Sequence, residues 1–146
     1  METANNKGKN IEALTSRIAY EIVSKGILNE SEINKLLGVL TNNGVYAMWV
    51  YAQANFKNGK TNKKANKKFC EFLIKILRLD TFISKKLNVN DIHADDETKY
   101  AEILKLADEY FSKISENLPQ LLLLKQLLEK TLTYARYHAK ASGDKK

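Results

Sequence analysis

The stretch YAEILKLADEYFSKI, residues 100–114, has the clearest helical pattern in the chain. Its apolar residues recur at intervals of three and four positions, the spacing that places side chains on one face of an α-helix. These residues are Tyr100, Ile103, Leu104, Ala107, Tyr110, Phe111 and Ile114. The pattern predicts an amphipathic helix that needs other helices to cover its apolar face.

Stripes of the same spacing lie on both sides of this segment. They begin at Asn10, at Asn29, at Val45, at Phe69 and near Gln120, and the last one reaches Ala141. Ile83 and Leu87 predict that the fourth helix continues or restarts after Asp80. No segment alternates in the manner of a β-strand with turn signals at both ends.

Short polar motifs mark the ends of these helices. Gly26 stands where a left-handed residue would close the first helix. Asn29 and Glu32 have the spacing of a capping box, and Asn42-Asn43-Gly44 interrupts the chain before the third helix. Asp95, Asp96 and Glu97 suit the first turn of the helix that carries the clearest stripe. The sequence therefore predicts an all-α, single-domain bundle of five or six helices over residues 10–141, with residues 1–9 and 142–146 disordered.

Composition restricts the class of protein. The chain has 146 residues, one cysteine and a net charge of +7. A single cysteine excludes an internal disulfide and is typical of a reducing compartment. The polar N-terminus lacks the apolar stretch of a signal peptide, and no apolar run is long enough to cross a bilayer. We expect a cytoplasmic protein without a membrane partner.

The residues that enzymes use are few and separated. His93 and His138 have no Cys or His at metal-ligand spacing. Cys70 lies between Phe69 and Phe72 in a helical pattern, which favours a buried packing thiol over a nucleophile. There is no glycine-rich phosphate loop, and Arg136 is too close in sequence to His138 for the Arg–His motif of small helical ribonucleases. We predict a protein without enzymatic activity, cofactor or metal.

The charge of the chain is concentrated in one place. Residues 57–79 hold eight basic residues and one acid, Glu71, so the whole net charge of +7 lies there. The run KNGKTNKKANKK, residues 57–68, contains six lysines and no acid. Lysine binds backbone phosphates without reading bases, and no aromatic residue interrupts the run. Placed on a connection between helices and continued by Lys75 and Arg78, these lysines predict an electropositive edge that binds a phosphate backbone without sequence preference. We call this edge the lysine edge; it consists of Lys57, Lys60, Lys63, Lys64, Lys67 and Lys68.

The basic and helical segments are also compatible with other functions. A solvated loop remains the alternative for the lysine edge, and a membrane surface is less favoured because the run has no apolar face. The helical pair over residues 31–56 has the layout of a helix-turn-helix. Its second helix offers only Gln53 and Asn55 as polar side chains beyond tyrosines, so core packing is favoured over DNA reading.

Three segments together resemble one protein family. They are Arg17, Ala19, Tyr20 and Ile22; Asn43-Gly44-Val45 with Ala47, Met48, Trp49 and Ala54; and Leu132, Tyr134, Arg136 and Ala139. This arrangement resembles the small all-helical subunit of the Cmr (type III-B) CRISPR–Cas complexes, which target RNA in antiviral defence.

The resemblance implies a non-catalytic subunit of an RNA-guided effector complex. In that family, copies of the small subunit stack into a minor filament beside the backbone subunit that holds the guide RNA. The implied partners are other subunits, further copies of this chain, and guide or target RNA. Arg17, Arg136 and Lys140, basic positions near the family-like motifs, join the lysine edge as candidate RNA contacts. The alternative is a helical adaptor or dimerisation module that uses its apolar last helix and binds no nucleic acid.

Overall fold

The computed structural model of this protein describes residues 2–56, 63–87 and 97–143, with side chains from 10–56, 66–87 and 98–143. These ranges contain six α-helices and no strand, which confirms the all-α bundle. The helices are α1 (Glu2–Ser24), α2 (Glu30–Asn43), α3 (Val45–Phe56), α4 (Lys63–Leu77), α5 (Tyr100–Ile114) and α6 (Leu118–Ala141). A 3₁₀ turn, Arg78–Phe82, follows α4, and another, Glu97–Lys99, precedes α5.

The helix ends that were predicted at Gly26, Asn29 and Gly44 are confirmed. The Asn29 side chain accepts from the backbone N–H of Glu32 at 2.8 Å, and Glu32 Oε1 accepts from the backbone N–H of Asn29 at 2.9 Å. This capping box starts α2. Gly26 and Gly44 have φ of 66° and 97°, so both turns use backbone conformations that suit glycine.

The predicted start of α1 and the predicted continuation of the chain after α4 are wrong. Helix α1 begins at Glu2 and not at Asn10, because residues outside an apolar stripe can still continue a helix. After Leu77 the chain neither continues nor restarts as an α-helix before residue 87. The Asp80 carboxylate accepts the backbone N–H groups of Ser84 and Leu87, which diverts both donors from helical hydrogen bonds. The predicted acidic helix start at Asp95 and Asp96 lies outside the described residues.

Trp49 lies at the centre of the core, as its place on the α3 stripe predicts. Its ring is 1% exposed and stacks on Phe111 of α5, with centroids 4.9 Å apart, and on Phe69 of α4 at 6.2 Å. The indole Nε1 donates to Asp108 Oδ1 at 3.2 Å, so the polar atom is also paired. One side chain thus joins α3, α4 and α5.

Helix α6 forms the other half of the bundle with α1 and α2. Glu12 of α1 contacts Lys130 and Tyr134, whereas Tyr20, further along α1, contacts His138. The contacts advance along both helices together, so α1 and α6 run in the same direction. Their C-terminal halves therefore share one surface of the molecule.

Candidate nucleic-acid interface

The lysine edge lies partly on a helix. Helix α4 begins at Lys63, so Lys63, Lys64, Lys67 and Lys68 are helical and the prediction of a connection through residue 68 is wrong. Lysine and alanine are good helix formers, and the apolar stripe from Phe69 marks only where burial begins. Lys57 and Lys60 lie outside the described residues.

The first turns of α4 combine two sources of positive charge. This helix has no acidic residue in its first turn, and Lys67 and Lys68 are exposed in its second. The N-terminus of a helix carries the positive end of the helix dipole, where cations are unfavourable and anions are stabilised. The backbone of Lys63 and Lys64 belongs to this turn. The first turn of α4 therefore has no acidic side chain to offset the positive charge of the helix dipole and of the lysines.

Lys75 does not extend the exposed edge, contrary to the sequence interpretation. Its side chain is 9% exposed, and its Nζ lies 2.6 Å from Glu21 Oε1 on α1. Burial raises the pKa of Glu21, but the hydrogen bond and charge of Lys75 outweigh it and hold that pKa below its usual range. This cation is neutralised across the α1–α4 contact and serves the fold.

Arg78 follows on the same side of the molecule. Its charge and that of Lys25 also lower the pKa of Glu21, so three cations surround one carboxylate. The Nε atom of Arg78 is buried and has no hydrogen-bond partner among the described residues. Arg78 is half-buried, and its position after Leu77 puts it beyond the end of α4. Lys75, Arg78 and Lys25 thus form a cluster around Glu21 that is separate from the lysine edge.

The three remaining predicted contacts lie on α1 and α6. Arg17 is exposed one turn before Tyr20, and Lys140 is exposed in the last turn of α6. Arg136 is half-buried; its guanidinium lies over the ring of Tyr137, with Cζ 5.7 Å from the centroid. Arg17 lies on α1, and Arg136 and Lys140 lie on α6, two helices that pack against each other.

Two exposed aromatic residues accompany them, and the sequence did not reveal their exposure. Tyr20 and Tyr137 are each 58% exposed. The Tyr20 ring meets the His138 ring edge to face, with centroids 5.7 Å apart. In the sequence, Tyr20 stands out only as part of the family resemblance. Its position between Ile18 and Ile22, off the apolar stripe of α1, was the signal that could have identified it.

The cysteine and the possible metal ligands show no arrangement for catalysis within the described parts of the chain. Cys70 is fully buried; burial and the nearby charge of Glu71 raise its pKa to about 12, so the thiol stays protonated. This confirms the packing thiol. Across the described parts of the chain, no three His, Cys, Asp or Glu side chains are grouped to hold a metal ion. His93 lies outside those parts.

The α2–α3 pair packs as core, as the sequence favoured. Val45, Met48, Trp49 and Ala52 of α3 are all buried. The opposite face is exposed, but Val50 and Ala54 on it offer no hydrogen bonds to base edges. Among the described residues, no helix is both long and apolar enough to cross a bilayer.

No protein-family model, curated protein or solved structure matches this chain. Its function must therefore be inferred from the residues and their placement.

Proposed function

We propose that this protein is a non-catalytic, cytoplasmic RNA-binding subunit that binds the phosphate backbone through the lysine edge. The resemblance of its helical motifs further supports a specific role as the small subunit of a type III-B CRISPR effector complex. In that role, copies of the chain stack beside a guide-bearing backbone subunit. Guide or target RNA is the ligand.

The observation that carries the proposal is the concentration of lysine at the N-terminal end of α4. Four lysines fall in the first six residues of this helix, with no acid in its first turn. Each cation near the positive end of a helix dipole costs a few tenths of a kcal/mol, up to about 1 kcal/mol. A phosphate would reverse that cost, because it pairs with the lysines and with the dipole. A solvated connection gives no comparable reason for lysine at these positions.

Lysine chemistry also defines what kind of RNA contact this is. An ammonium group is a mobile point charge that follows phosphates and carries no base information. Lys67 and Lys68 are exposed and have no ion-pair partner among the described residues. We therefore propose binding without sequence preference at this edge, as a scaffold subunit requires.

A second candidate is a helical adaptor that binds another protein through α6. Leu118 and Leu122, one turn apart at the start of this helix, are 62% and 50% exposed. An exposed aliphatic pair at helical spacing favours contact with a partner. Such a contact would also suit a subunit of a complex, so the two candidates differ in RNA binding and not in assembly.

The salt dependence of RNA binding tests the proposal. Each phosphate neutralised on a single strand contributes about −0.7 to the slope of log affinity against log salt. If four to six lysines of the edge engage together, we expect a slope of roughly −3 to −4. Lys63, Lys64, Lys67 and Lys68 replaced together by Ala should flatten the slope by about 3 and weaken binding to unrelated RNAs alike. Fluorescence anisotropy with short single-stranded RNAs at several salt concentrations measures both.

A matched variant separates position from net charge. Lys35, Lys86, Lys105 and Lys113 are exposed on other parts of the molecule, and replacing them by Ala removes the same charge. This control should leave the slope nearly unchanged. Equal effects of the two quadruple variants would indicate nonspecific attraction, and no effect of either would leave the adaptor as the better candidate.

A further inference from the structure

We infer that a second surface of this protein, on α1 and α6, stacks the bases of single-stranded RNA. It consists of Tyr20, Arg136, Tyr137, His138 and Lys140, and we call it the tyrosine face. The inference rests on the proposed function in that the ligand is RNA. The two surfaces would contact different parts of the RNA: the tyrosine face would contact the bases, and the lysine edge would contact the phosphate backbone.

The two tyrosine rings of the tyrosine face are exposed, and the Tyr20 ring also packs against a neighbouring ring. Tyr20 and Tyr137 are the most exposed aromatic residues among the described side chains. The Tyr20 ring is braced by His138, the residue next to Tyr137, through an edge-to-face contact at 5.7 Å. Tyrosine has few rotatable bonds, so a braced ring loses little further freedom when a base stacks on it. Both tyrosines are thus available as stacking platforms.

Arg136 adds a cation that has no anionic partner among the described residues. Within the described residues it makes no hydrogen bond or ion pair, and its Nε is buried without a partner. The guanidinium instead lies over the Tyr137 ring. A partly desolvated guanidinium is stabilised strongly by a phosphate, which it can bind through two parallel hydrogen bonds. Base stacking on Tyr137 would bring such a phosphate close to Arg136.

The carboxylates of the neighbouring segments are already neutralised. Glu12 pairs with Lys130 at 2.8 Å and accepts from the Tyr134 hydroxyl. Glu21, next to Tyr20 in sequence, pairs with Lys75. Glu129 lies within 3.9 Å of Lys125. Lys140 and, one turn before Tyr20, Arg17 are exposed. The tyrosine face is therefore positive where a nucleic acid strand would approach.

The combination of exposed rings and basic side chains on this surface suits single-stranded RNA. The exposed large aliphatic residues among the described side chains are Val50 on α3 and Leu118 and Leu122 at the start of α6. Leu118 precedes Tyr137 by 19 residues, roughly 28 Å along the helix axis. Tyrosines interleaved with Arg, His and Lys, without aliphatic residues, are typical of surfaces that stack unpaired bases.

Alanine and phenylalanine variants of the two tyrosines test the inference. The probe is a single-stranded oligoadenosine RNA, compared with the same strand annealed to its complement. Tyr20→Ala and Tyr137→Ala should each weaken binding of the single strand by about 5- to 150-fold, the range for loss of one stacked base. Tyr20→Phe and Tyr137→Phe should stay near the wild type, because the ring remains. Duplex binding and the salt slope should change little, because phosphate contacts are retained.

Tyr46→Ala provides the matched control. Tyr46 is 49% exposed on α3, far from the basic residues of the tyrosine face in sequence, and its loss should leave RNA binding unchanged. Thermal unfolding should show that all variants fold.

The outcomes separate this inference from the proposal for the lysine edge. Weakened single-strand binding in the Ala variants supports the inference even if the quadruple lysine variant has no effect. Unchanged binding, or an equal loss for the duplex, overturns it while the lysine edge can still stand. A change in self-association with intact RNA binding would show that the tyrosine face is a protein contact. If the wild type binds no RNA, both proposals fail.

Discussion

The two ends of helix α4 carry the same residue type in opposite circumstances. At the beginning, Lys67 and Lys68 are exposed and the first turn has no acid. Near the end, Lys75 is buried against Glu21, and beyond it the carboxylate of Asp80 is fully buried. One run of basic residues is therefore divided between a surface open to a ligand and a network that holds helices together.

The Asp80 network explains why the second end serves structure. Asp80 accepts from the Tyr110 hydroxyl at 2.8 Å, from the Ser84 hydroxyl at 2.7 Å, and from the backbone N–H groups of Ser84 and Leu87. Burial and the charge of Asp80 raise the pKa of Tyr110 well above its usual range, so this hydroxyl remains a donor. The turn after α4 is thereby tied to α5. The carboxylates of Glu21 and Asp80 are paired within the fold at this end, whereas Lys67 and Lys68 at the other end have no ion-pair partner among the described residues.

The largest effect is expected from breaking the network at Asp80. Asp80→Ala leaves the Tyr110 hydroxyl and two backbone N–H groups without their acceptor in a buried site, so we expect a loss of about 3 kcal/mol or more in unfolding free energy. Urea unfolding measures it. Asp80→Asn, which keeps one acceptor oxygen, should be milder. A loss below about 1 kcal/mol for Asp80→Ala would mean that the network contributes little.

The Glu21–Lys75 pair should give an intermediate effect. Glu21→Gln leaves the Lys75 ammonium partly buried without a counter-charge. Removing one partner of a fully buried pair costs about 3–5 kcal/mol; Glu21 is a quarter exposed, so we expect about 1–3 kcal/mol at neutral pH. Glu129→Gln, which breaks an exposed pair with Lys125, should cost at most about 0.5 kcal/mol.

The same pair predicts a dependence on pH. The folded protein holds the pKa of Glu21 below its ordinary value of 4.5. The pair is therefore fully effective above that value, and its contribution is lost as pH falls through the lower pKa of the folded state. The difference in unfolding free energy between the wild type and Glu21→Gln should therefore become smaller as the solution is acidified. A constant difference from neutral to acidic pH would show that the carboxylate charge is not what stabilises the contact.

The smallest effect should come from the beginning of α4, and with the opposite sign. Lys63→Glu and Lys64→Glu place acids at the positive end of the helix dipole, so each should raise the unfolding free energy by about 0.3–1 kcal/mol. RNA binding should weaken at the same time. Lys113→Glu, in the last turn of α5, is the mirror control and should destabilise by a similar amount. Stabilised variants that bind RNA as well as the wild type would show that this end of α4 is not a phosphate site.

The placement of the candidate RNA contacts was only partly predictable. The concentration of lysine was visible in the sequence, but the helical state of residues 63–68 was not, because the apolar stripe begins only at Phe69. Lys75 belonged to the same basic run, and only its contact with Glu21, 54 positions away, removed it from the surface. Arg136 was expected to contact RNA, whereas the pairing of its guanidinium with Tyr137 became visible only in the structure.

The sequence by itself determined the helical class, the main apolar faces and the capping box at Asn29 and Glu32, because periodicity and capping depend on residues a few positions apart. The buried state of Cys70 and Trp49 was also predictable, since each lies on or beside an apolar stripe. Only the tertiary structure decided which charges are neutralised and which remain open. Lys75 meets Glu21, Asp80 meets Tyr110, and Tyr20 meets His138 because separate helices pack together. A contact between distant segments leaves no local pattern, so the division between structural and available charge is a property of the fold.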